Sequence, residues 1–333
     1  MRPSFIPRLV NGPLFDPLVY VRVLNERKAL LFDCGHFLTI TPRELLLIDG
    51  IYISHARMDH FIGLDYVLRA ILHREEPLYI YGPEGITEKV LSKLHAYTWN
   101  LAKDYKLAVH IMEIRPGLMT STSANLSTEF KDYSAEEYPL DPCCVITDEP
   151  RYTVKSVVLD HNIPCLAFTL EERAHINIRG DVLHDRGYIS GPWLGKLKEY
   201  ILAGDYQASI EVSLVMGTTV KRVNELMDEL VTISPGQKIG YITDIRYSRE
   251  NVENLMAIAS GTDILFIEAF YLDELRDEAY RKGHLTARQA GTIAGMLSAK
   301  KVIPMHISPR YHGRVEEIVK EVYNAYERVS NCG

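Results

Sequence analysis

Short apolar runs punctuated by turn residues organise the chain. Leu18 to Leu24 and Ala29 to Phe32 flank the polar stretch Asn25-Glu26-Arg27-Lys28 and predict a β-hairpin, closed by Asp33-Cys34-Gly35. Ile51, Tyr52 and Ile53 predict a strand running into His55, and an apolar, helix-like segment follows from Phe61 to Leu72. Leu78 to Tyr81 predicts a further strand, ended by Gly82-Pro83. Ile86, Val90, Leu91, Leu94 and Tyr97 recur at helical spacing and predict a helix over 84–103, followed by a strand from Val109 to Ile114. Residues 117–150 are polar and predict loops and short strands. Tyr152 to Leu159, ending in Asp160-His161, and Cys165 to Leu170 predict a strand pair. The texture changes over 171–207, where charge and Gly180, Gly187, Gly191-Pro192, Gly195 and Gly204 predict an excursion from the core. Val220 to Leu230 predicts an amphipathic helix.

The last hundred residues alternate regularly. Strands are predicted at Lys238 to Thr243, Ile264 to Ile267 and Val302 to Met305, and helices at Val252 to Ala259, Thr286 to Leu297 and Arg314 to Tyr326. Repeated strand-then-helix units imply α/β layering. An apolar content of 47% and a charged content of 24% over 333 residues are those of a globular protein large enough for a substantial core. A net charge of −7 excludes a generally basic surface, so any nucleic-acid contact has to be a local patch. Cys34, Cys143, Cys144, Cys165 and Cys332 form no C-x-x-C pair and are odd in number, which implies a reduced, cytoplasmic protein. No apolar run reaches the roughly 20 residues needed to span a bilayer. Prolines break the N-terminal stretch before a signal-type apolar region forms.

The chemistry gathers at the predicted strand ends. His55, Asp59 and His60 follow one strand, and His161, Asp244, Glu268 and His306 each end another. A single strand-end histidine is ordinarily structural. Several strand tips that each carry an imidazole or a carboxylate instead imply a metal site, since such donors suit zinc or a similar ion and strand tips in α/β sheets hold binding groups rigidly.

The order of these segments resembles the metallo-β-lactamase superfamily and, within it, the ribonuclease Z family that trims tRNA 3′ ends. The signature His-x-His-x-Asp-His stands here as His55-Ala-Arg57-Met-Asp59-His60, flanked by Leu31-Phe-Asp-Cys-Gly35 and Tyr79-Ile-Tyr-Gly-Pro-Glu-Gly85. His161-Asn-Ile-Pro164, Tyr241-Ile-Thr-Asp244, Ile267-Glu268-Ala-Phe270, Gly283-His284-Leu-Thr286 and Met305-His306-Ile-Ser308-Pro-Arg310-Tyr311 resemble the later segments in sequence order. The resemblance implies a four-layer αβ/βα sandwich, with one hydrolase domain over 1–333 and a substrate arm over 171–207. It implies two zinc ions. Site one would use His55, the Arg57 position, His161 and Asp244; site two would use Asp59, His60, Asp244 and His306. A metal-bound hydroxide would attack phosphorus, with Asp59 orienting it and His284, backed by Glu268, protonating the leaving oxygen. Ser308, Arg310, Lys196 and Lys198 would contact the phosphodiester substrate, a tRNA precursor. A homodimer and the absence of a membrane partner are also implied.

Arg57 is the main departure. A guanidinium has no lone pair to give a metal, and its charge beside a divalent ion costs roughly several kcal/mol at an effective dielectric of about 20. Three arrangements stay open: one metal with Arg57 as a permanent cation for a substrate phosphate, two metals with Arg57 turned outward, or a catalytically degenerate protein. Ile267 replaces a histidine of the family pattern, and His36 stands where an acid is frequent. Residues 171–205 hold Arg173, Arg179, Arg186, Lys196 and Lys198 against Glu171, Glu172, Asp181, Asp185, Glu199 and Asp205, which is no basic excess. A small-molecule phosphodiesterase or esterase on the same fold therefore stands beside the tRNA enzyme, and a non-catalytic metal-binding or interaction protein is the third reading.

Overall fold

The computed structural model describes residues 4–24, 26–37, 39–102, 104–140 and 144–331, so Asn25, Cys143 and Cys332 lie outside the described residues. In chain order the strands are β1 (Phe5–Leu9), β2 (Val19–Val23), β3 (Lys28–Phe32), β4 (Ile48–Tyr52), β5 (Leu78–Pro83), β6 (Ala108–Arg115), β7 (Leu118–Asn125), β8 (Tyr133–Pro139) and β9 (Val145–Asp148). They continue as β10 (Tyr152–Asp160), β11 (Pro164–Glu172), β12 (His175–Ile178), β13 (Ser209–Leu214), β14 (Gly217–Arg222), β15 (Val231–Ser234), β16 (Lys238–Ile242), β17 (Ile264–Glu268) and β18 (Val302–Met305). Among the described residues β1 to β8 form one sheet in sequence order, and a second sheet runs β18-β17-β16-β11-β10-β9. The pairs β3–β4, β4–β5, β5–β6, β16–β17 and β17–β18 are parallel.

Strand alternation builds the layers. Ala29 and Leu31 of β3, with Ile51 and Ile53 of the β4 segment, face a core that includes Leu64, Val67 and Leu68 of the helix Leu64–Ile71 and Val90 and Leu94 of the helix Ile86–His95. Phe32 and Tyr52, on the opposite face, meet the second sheet: their rings lie 5.9 and 5.7 Å from Phe168 of β11, and Phe32 lies 5.8 Å from Tyr241 of β16. The outer face of the second sheet packs on the helices Arg249–Ala259, Ala287–Met296 and Val315–Ser330 through Leu255, Ile293, Ile318 and Val322. Helices, sheet, sheet and helices make the αβ/βα sandwich. Burial on both faces explains why these strands read as unbroken apolar runs.

Several elements differ from the sequence expectation for identifiable reasons. The segment Phe61–Leu72 is two helices, Met58–Phe61 and Leu64–Ile71, because the Gly63 N–H leaves the helix ladder and donates to the Cys34 carbonyl at 2.7 Å. The helix expected to reach 103 stops at His95, where the Trp99 indole donates to the Leu94 carbonyl at 2.7 Å and Leu101 is exposed. Residues 117–150 contain regular strands, β7 and β8, which extend the first sheet antiparallel. β8 is exposed at every residue, so its sequence carries no apolar alternation. Val220–Arg222 belong to β14, and the helix begins at Val223.

Thr147–Thr153 and Glu171–Gln237 form a second compact unit, longer than the 171–207 excursion. It contains the pairs β12–β15 and β13–β14 and the helices Gly180–Asp185, Trp193–Ala203 and Val223–Leu230. Leu226 and Leu230 join Trp193, Leu197 and Val212 in one buried cluster, and residues beyond 207 are needed to close it. Among the described residues no helix is long and apolar enough to cross a membrane.

Candidate metal centre

The parallel strands bring their C-terminal tips to one edge of the sandwich. Asp33 follows β3, His55 follows β4, and Asp59 and His60 sit in the short helix Met58–Phe61. His161 follows β10, Asp244 follows β16, Glu268 ends β17 and His306 follows β18. Asp33, Asp244 and His306 adopt left-handed backbone with φ of 56°, 50° and 50°. Non-glycine residues avoid this region, and strain of that kind concentrates where the surrounding structure imposes it for function. The Asp59–His60 helix is held by close backbone contact. The Cys34 N–H donates to the His60 carbonyl at 2.9 Å, and a Cβ on Gly63 would lie 2.2 Å from the Gly35 carbonyl oxygen.

Asp244 is the hub. Its Oδ2 lies 3.2 Å from His55 Nε2, 3.3 Å from His60 Nε2 and 3.4 Å from His161 Nε2. Its Oδ1 lies 2.8 Å from His306 Nδ1 and 3.4 Å from His284 Nδ1. On the far side, Asp59 Oδ2 lies 3.5 Å from His60 Nε2 and 3.4 Å from His306 Nε2. His55 Nε2 and His60 Nε2 are buried without a hydrogen-bond partner. Buried polar atoms are ordinarily paired, so orphaned donors converging on one space mark a cation site. Burial opposes ionisation of Asp244, yet the His306 and His60 imidazoles hold its carboxyl well below the usual carboxylate range. Burial pushes His161 down to about 4, which keeps its imidazole neutral.

Partners behind these groups fix their tautomers. His161 Nδ1 donates to the Gly283 carbonyl at 2.6 Å, leaving the Nε2 lone pair toward the centre. His60 Nδ1 donates to Asp33 Oδ2 at 2.7 Å, and the same carboxylate accepts from Tyr241 Oη at 2.6 Å, Ser54 Oγ at 2.8 Å and the Ser54 N–H at 2.6 Å. Glu268 accepts from the Ile245 and Leu285 N–H groups, each at 3.0 Å, and from His284 Nδ1 at 3.0 Å. The His284 ring stacks on Phe270 at 4.1 Å. Burial alone would lower His284, but Glu268 and Asp244 raise it to about 9.

His55, Asp59, His60, His161, Asp244, Glu268, His284 and His306 are thus brought together. Asp33, Ser54 and Tyr241 are an addition from the structure; Asp33, as an acid at a strand tip, carried the only signal in sequence. Arg57 also turns toward the centre: its Nη1 contacts His161 Nε2 and lies 3.9 Å from Asp244 Oδ2. The outward Arg57 is not the conformation seen. Ser308 is buried and donates its N–H to the Phe270 carbonyl. Arg310 is 3.0 Å from Glu278 and stacks 4.7 Å above Tyr271. Lys196 and Lys198 lie on the helix Trp193–Ala203 of the second unit, whereas the centre belongs wholly to the first.

Among the described residues three groups of donors converge at the centre, and in one of them, Asp244, Glu268, His284 and His306, the Glu268 carboxylate is already taken up by His284 and the Ile245 and Leu285 N–H groups. Asp59, His60 and His306 converge from three sides with Asp244 beside them, a nitrogen and oxygen set that suits a divalent ion such as zinc. His55, His161 and Asp244 form the third group, but there the Arg57 guanidinium covers the His161 ligand atom.

A face-to-face αβ/βα sandwich with this histidine and aspartate centre at its strand tips defines a metallo-β-lactamase-fold protein. The model of the beta-lactamase superfamily domain matches residues 224–307. Ribonuclease Z of Limosilactobacillus reuteri is 30% identical over 307 residues, covering 89% of this chain and 83% of that protein. Ribonuclease Z of Deinococcus radiodurans is 27% identical over 289 residues, covering 85% and 83%. The crystal structure of the short form of human tRNase Z superposes with a TM-score of 0.54 at 18% identity, covering 92% of this chain and 93% of that one, a likeness of fold. The chain belongs to the ribonuclease Z family.

Proposed function

We propose that the protein is a metal-dependent phosphodiester hydrolase that cuts RNA, with tRNA precursors trimmed at the 3′ end as its substrate. The observation that carries this reading is the convergence of Asp59, His60 and His306 at the strand tips, with His60 Nε2 buried and unpaired. Asp59, His60, Asp244 and His306 would hold a divalent ion such as zinc, which when bound would supply Lewis-acid polarisation of a phosphate oxygen and a more acidic water. The chain's own groups do the rest. Asp33 and the Gly283 carbonyl orient His60 and His161 so that each presents Nε2. Asp59 is the only carboxylate of the centre with substantial solvent access among the described residues, which suits it to orient the attacking water. His284 keeps Nδ1–H on Glu268, so its protonated Nε2 is the proton source for the leaving oxygen. Phe270 holds the ring in that orientation.

A second reading, a small-molecule phosphodiesterase on the same fold, is favoured by the charge of the second unit. Its eight lysines and arginines face twelve aspartates and glutamates, the opposite of a surface that grips an RNA backbone. Incubation with a tRNA precursor carrying a 3′ trailer, with zinc and with chelator, tests both. Zinc-dependent release of the trailer in one cut supports the RNA reading. Hydrolysis of bis(p-nitrophenyl) phosphate with an intact precursor at every salt concentration supports the second.

A further inference from the structure

Of the three donor groups, His55, His161 and Asp244 differ from Asp59, His60 and His306 in one respect, and Arg57 is the difference. It immediately precedes the helix Met58–Phe61 in extended backbone, φ −73° and ψ 158°, so its side chain leaves the helix start toward the donors rather than along the helix. The side chain keeps 42% of its surface exposed, and the covered part includes the guanidinium nitrogen that meets His161. Because His161 Nδ1 is committed to the Gly283 carbonyl, Nε2 carries the only lone pair the ring can offer. The Arg57 N–H takes that lone pair. Asp244 Oδ2, 3.9 Å away, neutralises the guanidinium, and His55 Nε2 lies 3.2 Å from the same oxygen. Two of the three donors of the first group, His161 and Asp244, therefore already face a cation.

The second group has no such occupant. Asp59 Oδ2 lies 3.5 Å from His60 Nε2 and 3.4 Å from His306 Nε2, the three ligand atoms fall within 4.8 Å of one another, and among the described residues no arginine or lysine contacts them. His60 is locked by Asp33 behind it. One position is built for a metal and the other for a fixed positive charge.

We propose that the Arg57 guanidinium stands in place of one of two metals, so that the protein takes a single divalent ion at Asp59, His60, His306 and Asp244, with Arg57 as the cation that holds a substrate phosphate oxygen. The proposal rests on the hydrolase reading above and fixes its metal content. A guanidinium is suited to holding phosphate because it is planar, permanently charged and offers parallel N–H donors to the oxygens. Its exposed part faces solvent, from which a phosphodiester arrives. The cost is geometric, since a fixed cation cannot open its coordination sphere to water as a second metal can.

Wild type is compared with Arg57→His, Arg57→Gln and Arg57→Ala, each loaded with excess zinc, dialysed and measured for zinc per chain, with denaturation midpoints confirming folding. The expected result is one equivalent in the wild type and two in Arg57→His, which restores a fourth donor. Arg57→Gln and Arg57→Ala stay at one, and inhibition by inorganic phosphate weakens at least tenfold in both. Two equivalents in the wild type overturn the substitution, as does Arg57→His remaining at one. Unchanged phosphate inhibition in Arg57→Gln and Arg57→Ala overturns the phosphate-holding role. Zinc absent from every variant defeats the metal-dependent reading itself, a failure distinct from either of these.

Discussion

Asp33→Asn isolates the network behind the centre. The carboxylate accepts four hydrogen bonds in a fully buried setting, three on Oδ2 and one on Oδ1. Asparagine keeps the shape and tolerates the left-handed backbone at φ 56°, so the substitution reads hydrogen bonding and not strain. The amide oxygen will take the Oδ2 place, where it keeps Tyr241, Ser54 Oγ and His60. Its NH2 then faces the Ser54 N–H, and one buried backbone donor loses its partner at a cost of about 1–3 kcal/mol. The three remaining bonds change from charged to neutral acceptors, each losing roughly 0.5–1 kcal/mol. The total is about 2.5–6 kcal/mol, read by urea denaturation of chelator-stripped protein. Zinc affinity should fall as well, by roughly ten- to hundredfold, because His60 loses the anionic partner that orients it and raises its basicity. A stability change below about 1 kcal/mol with unaltered zinc affinity would refute the role assigned to Asp33.

Other perturbations probe separate links. Gly283→Ala places a Cβ 2.7 Å from His161 Nδ1 at φ +78°, and should cost about 1–3 kcal/mol and displace His161, seen as a lower melting temperature and weaker zinc binding. Gly63→Ala drives a Cβ to 2.2 Å from the Gly35 carbonyl oxygen and should undock the Asp59–His60 helix; zinc content measured at constant protein would drop. In metal-free protein His284 is raised to about 9 from an ordinary value near 6.5, so the fold binds its proton more tightly than the unfolded chain does. That stabilisation is fully present below about pH 6.5 and is lost as pH rises through about 9, on the order of 3 kcal/mol. Denaturation midpoints between about pH 6 and 10 should show the loss, and His284→Gln should flatten it.

The parts of the fold that are legible in sequence are those whose energetics are local. Lys238–Ile242, Ile264–Glu268 and Val302–Met305 are short apolar runs, and a polar residue, Asp244, Glu268 or His306, stands at or just past the C-terminal end of each. The ligands are visible for that reason. Asp33 reads as a turn residue, since its partners lie 21, 27 and 208 residues away and only tertiary packing brings them to it. The orientation of Arg57 is equally hidden, because it depends on His161, 104 positions further along. β8 leaves no trace in the pattern because it is exposed throughout, and alternation there has no apolar face to display. The second unit extends beyond the 171–207 excursion because its core closes only when Leu226 and Leu230 return to Trp193.

The most direct test of the central claim is hydrolysis of bis(p-nitrophenyl) phosphate by chelator-stripped protein titrated with zinc, for wild type and His60→Ala side by side. The account predicts no turnover without metal, recovery in the wild type that saturates with zinc, and loss of at least a hundredfold in His60→Ala at the same zinc concentration. Full turnover in the stripped protein, or equal recovery in His60→Ala, would contradict it.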